Sequence, residues 1–91
     1  MSKLYIRGFG DEIDETQLRR HFGKKKIEKL DLIEKKDEQG NIISRFCYLF
    51  TFQPEQAQAI VSKWNNREWD GNLLRSWLIN FTNFSHKKAL Y

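Results

Sequence analysis

The run Ile42-Ile43-Ser44-Arg45-Phe46-Cys47-Tyr48-Leu49-Phe50-Thr51-Phe52 is the densest stretch of β-favouring residues in the chain, and its needs constrain the fold more than any other feature. Successive side chains of a strand turn to opposite faces, so two registers are open. In one, Phe46, Tyr48, Phe50 and Phe52 all point into the core. In the other, Cys47 and Leu49 point inward, and Phe46 and Tyr48 face out. The chain has 91 residues, and a core of that size is small. Four large aromatics would overfill it, which costs stability as surely as a void does. The second register is therefore predicted.

The flanking segments supply the rest of a layered domain. Residues 3–9, Lys-Leu-Tyr-Ile-Arg-Gly-Phe, alternate as a strand with Leu4 and Ile6 on one face and Tyr5 and Arg7 on the other. Asp14 suits a helix N-cap, Gln17 completes a capping box, Leu18 and Phe22 share a face, and Gly23 suits the stop. Residues 27–34 read as a second strand. The polar segment from Lys35 to Asn41 turns the chain at Gln-Gly-Asn. Pro54 opens a second helix, with Ala57, Ile60, Val61 and Trp64 at helical spacing. Residues 67–71 form a short strand and turn, and Leu74 to Phe81 a last strand. The expected order is β-α-β-β-α-β, an α+β, ferredoxin-like sandwich with a four-stranded antiparallel sheet and both helices on one face. The domain is expected over residues 1–81. Residues 82–91 form a polar-aromatic tail that could make a helical turn or two.

Composition narrows the function. Sixteen basic and twelve acidic side chains leave a net charge of +4, which permits a polyanionic partner. Aromatics at 14% argue against low-complexity disorder. No apolar run approaches the ~20 residues of a spanning helix, so no membrane role is expected. His21, His86 and Cys47 lack metal-ligand spacing, so neither metal nor cofactor is expected. The carboxylates Asp11, Glu12, Asp14 and Glu15 sit in a solvated loop and cap, with nothing to shift a pKa, and Cys47 is expected to be a small core residue. An enzyme is not expected. His21 is expected to partner the C-terminal end of its helix as a cation.

The helix-free face decides the function. The parities place Tyr5, Phe46 and Tyr48 there, and turn Arg75, Trp77 and Ile79 outward opposite Leu74 and Leu78. Several aromatics together on an exposed face point to a partner. Flat rings beside Arg7, Arg45 and Arg75 make a stacking platform for unpaired bases, with phosphate-pairing charges around it. Trp77 could stack a base or seat the C-terminal tail.

The hexamer Leu4-Tyr5-Ile6-Arg7-Gly8-Phe9 and the strand Arg45-Phe46-Cys47-Tyr48-Leu49, in this element order, resemble an RNA recognition motif (RRM). The resemblance runs from Lys3 to about Asn80 and implies that Tyr5, Phe46 and Tyr48 stack bases. It departs from the family pattern at four places: Gly8 for the hexamer's usual asparagine, and Ser44, Arg45 and Thr51 for the octamer's basic residue, glycine and last aromatic. A narrower set, Lys36-Asp37-Glu38-Gln39-Gly40-Asn41, then Phe46-Cys47-Tyr48, then Trp69-x-Gly71-x-x-Leu74 and the Phe-Ser-His-Lys tail, looks like the N-terminal RRM of the nucleolar protein eight family. That likeness implies a nuclear, nucleolar protein, pre-ribosomal RNA and a role in large-subunit assembly.

The expectation is a monomeric domain binding single-stranded RNA through Lys3, Tyr5, Arg7, Arg45, Phe46, Tyr48, Arg75, Trp77 and Asn80, with Lys35 and Lys36 clamping the backbone. No preference for DNA is inferred. The alternative is an RRM that docks a protein partner within a ribonucleoprotein assembly.

Overall fold

The computed structural model describes residues 2–79. Strand β1 (Ser2–Arg7) leads to helix α1 (Glu15–Phe22), strands β2 (Ile27–Lys36) and β3 (Ile42–Thr51), helix α2 (Pro54–Trp64), and strands β4 (Arg67–Trp69) and β5 (Asn72–Ile79). The sheet has five strands in the order β2-β3-β1-β5-β4, with every pairing antiparallel. This corrects the four-stranded expectation. The extra strand is short and forms a hairpin with β5 through Asp70 and Gly71, whose φ values of 53° and 80° suit the turn that matches strand twist. Tail residues 82–91 lie outside the described residues.

Helix α1 starts where local chemistry says it should. The Gln17 amide donates to Asp14 Oδ1 at 2.8 Å, and the Asp14 amide donates to Gln17 Oε1 at 2.9 Å. Two otherwise orphaned donors are thereby satisfied at the helix start. At the other end the Gly23 amide donates to the Arg19 carbonyl. Leu18 and Phe22 are buried, with Ile13 beside them in the core.

Strand alternation delivers the predicted register. Leu4, Ile6, Cys47, Leu49 and Leu74 are fully buried, and Leu18, Ala57 and Ile60 of the helices close over them. Burial pushes the Cys47 thiol up to about 12, against the pull of the Arg45 charge.

His21 departs from its expected role. Its ring stacks on Trp69 at 3.8 Å and 12°, and lies 4.1 Å from Trp64. Its Nε2 is buried without a hydrogen-bond partner among the described residues. Desolvation, then the Lys63 charge, lowers its pKa, so the ring is a neutral packing element rather than a helix-end cation. The sign for stability follows from linkage. Below the ordinary histidine pKa the unfolded chain takes up a proton that the folded chain resists. Stability is therefore full above that pH and falls as pH drops toward the lowered folded value. Denaturant midpoints at pH 5 and pH 7.5 should differ in that direction, and His21→Phe should shrink the difference.

Candidate nucleic-acid interface

The helix-free face is built from cross-strand rows. Tyr5 of β1 is directly opposite Tyr48 of β3 and Trp77 of β5. Asp31 of β2 extends this row past Tyr48. One step along, Arg7 pairs with Phe46 on one side and Arg75 on the other. The strand period of two places all these side chains on the face opposite the core residues Leu4, Ile6, Cys47 and Leu49.

The rings form one cluster. Tyr5 stacks on Trp77 at 4.6 Å and 30°, and on Phe46 at 5.1 Å and 29°. Tyr48 meets Tyr5 and Phe46 edge-on at 5.7 and 5.6 Å. Trp77 is the most open member, at 40% exposure. The Lys3 ammonium lies 4.1 Å from the Tyr48 ring centre, and the Arg7 guanidinium 5.7 Å from that of Trp77. Arg7 and Arg75 are exposed cross-strand neighbours, and no described carboxylate pairs with either. Like charges set opposite each other destabilise a sheet until an anion joins them.

Arg45 is the clear correction. Its parity is that of Cys47 and Leu49, so it belongs to the helix side of the sheet. Its Nε donates to Glu34 Oε2 at 2.6 Å, and an Nη donates to the Gly10 carbonyl at 2.8 Å. The guanidinium also lies 5.5 Å from the Phe9 ring centre, and the side chain is only 8% exposed. Arg45 ties the loop after β1 to the β2–β3 hairpin and cannot reach a ligand on the opposite face. Lys35 and Lys36 are exposed and close β2 rather than lying in the loop after it. Asn80 lies outside the described residues.

Phe50 is a face residue that the sequence reading left out. It shares the parity of Phe46 and Tyr48, and that alternation alone was enough to find it. It is half-buried, and Lys3 and Lys29 of the adjacent strands lie directly opposite it.

An antiparallel sheet covered on one side by two helices, with an aromatic row across its central strands on the other, defines the fold of an RNA recognition motif. No family profile matches the chain. Among solved structures it is similar to the penultimate RNA recognition motif of the hypothetical RNA-binding protein RBM19, determined in solution. The two are 26% identical with a TM-score of 0.68, over 85% of this chain and 81% of the other.

Proposed function

We propose that this domain binds single-stranded RNA on its helix-free sheet face. The observation that carries the reading is the Trp77–Tyr5–Tyr48 row with Phe46 beside it, flanked by two arginines without carboxylate partners among the described residues. Bases stack on the rings, and Arg7 and Arg75 pair with phosphates. Stacking on such rings is worth about 1–3 kcal/mol per base and tolerates any sequence. The similar RBM19 domain comes from a protein described as RNA-binding, which supports the same role here. Cys47, buried with a thiol pushed up to about 12, is unfit as a nucleophile.

The test is an amide chemical-shift titration with a degenerate pool of short single-stranded RNA. Shifts concentrated at Tyr5, Phe46, Tyr48 and Trp77 support the platform. A folded domain with no shifts refutes it. Salt adds a second check. With two arginine–phosphate contacts at ~0.7 each, a log–log plot of affinity against salt should slope at roughly −1.4.

A nuclear setting and a pre-ribosomal RNA target in large-subunit assembly rest on the loop and tail resemblance alone. Crosslinking of the parent protein in cells would test them, with enrichment of ribosomal precursor sequences as the supporting result. A protein-docking role is the second reading. Its specific support is that Tyr5 already lies against two rings, which makes this face partly an apolar surface of its own.

A further inference from the structure

A third cross-strand row lies beyond the Tyr5 row. It runs Ile79–Lys3–Phe50–Lys29 over four adjacent strands. The Lys3 and Lys29 ammonium groups lie 5.4 and 5.5 Å from the Phe50 ring centre. A half-buried ring is therefore held between two cations on the same face as the main cluster. Lys29 is 63% exposed and meets Asp31 at 3.7 Å. An exposed pair at that distance is weak, so Lys29 can be drawn away to a phosphate at little cost.

Resting on the RNA reading above, we infer that Phe50 and Lys29 form an additional nucleotide subsite that lengthens the bound strand toward the β2 edge. A base stacks on Phe50, and the phosphate next to it pairs with Lys29, with Lys3 bordering both this ring and Tyr48. The cations make the row suited to a phosphate-bearing strand rather than to an apolar ligand. A neutral apolar group would have to desolvate two ammonium groups without compensation. Asp31, in register with Tyr48, places a carboxylate acceptor at the β2 end of the Tyr5 row, one row from Lys29.

The experiment measures binding of fluorescent degenerate RNA pools of about four and about six nucleotides to the folded domain. One stacked base supplies about a tenfold gain, so the longer pool should bind about tenfold more tightly. Phe50→Leu, which keeps apolar bulk, should abolish that gain and leave the shorter pool unaffected. Phe50→Trp should preserve it. Lys29→Met should flatten the salt dependence of the longer pool by about 0.7, one single-strand phosphate contact, and leave the shorter pool unchanged. Shorter-pool binding with a length gain that survives Phe50→Leu overturns the subsite and leaves the platform standing. If neither pool binds, the platform reading falls and the subsite with it.

Discussion

Alanine at Tyr48 or Phe46 should weaken binding of single-stranded RNA by about tenfold or more while the domain stays folded. Each ring would supply a stacking surface worth about 1–3 kcal/mol. Both side chains project from the face opposite the core, so truncation opens no interior cavity. What folding loses is ring–ring packing, about 0.5–1.5 kcal/mol per pair, against a total of roughly 5–15 kcal/mol for such a domain. Calorimetric titration beside a thermal melt separates the two effects. Melting close to wild type with lost affinity supports stacking. Unchanged affinity in both variants would sink it.

Gly8 carries the largest expected effect on stability. Its φ is +101°, and a Cβ there would overlap the backbone carbonyl oxygen of Leu73. Backbone cannot swing aside as a long side chain can, and the conformation is itself unfavourable for alanine. Gly8→Ala should destabilise by about 3 kcal/mol, lowering Tm by roughly 10–20 °C. Gly40 is the control. Its φ is +86°, but an added Cβ would meet nothing within 4 Å, so Gly40→Ala should cost about 1 kcal/mol. Equal losses in the two melts would refute the close approach. The asparagine usual at this place in the motif would begin with the same overlap on this backbone.

The fold was legible where its causes are local. The α1 capping box needs only Asp14 and Gln17, three residues apart, and it formed as the spacing implied. The β3 register was legible because one volume argument chose between two parities. Arg45 shows where adjacency misleads. It is next to Phe46 in sequence, but alternation puts it on the other face, and its partners Glu34 and Gly10 are brought to it only by strand pairing and a loop. Phe50 was recoverable from the same alternation. The short strand and turn at residues 67–71 were legible, but the place of that strand as a fifth member of the sheet was not. Three residues carry little periodicity, and β4 exists because the Asp70-Gly71 turn folds it onto β5. His21 was misread because its environment, Trp69 and Trp64, is assembled from distant segments.

The burial of Cys47 gives this domain an internal clock for its own opening. The chain has one cysteine, on a central strand, fully buried, with its thiol pushed up to about 12. A thiol reagent at neutral pH therefore has almost no thiolate to attack until β3 separates from the helices. With reagent slow relative to reclosing, the labelling rate reports the population of opened molecules and hence the free energy of opening. Gly8→Ala should accelerate labelling by about two orders of magnitude, since about 1.4 kcal/mol is a tenfold change in that population. RNA bound to the opposite face should slow it, because a ligand that binds only the closed domain lowers the opened fraction. A single alkylation time course thus reads stability and occupancy from one sulfur atom that touches neither solvent nor the proposed ligand.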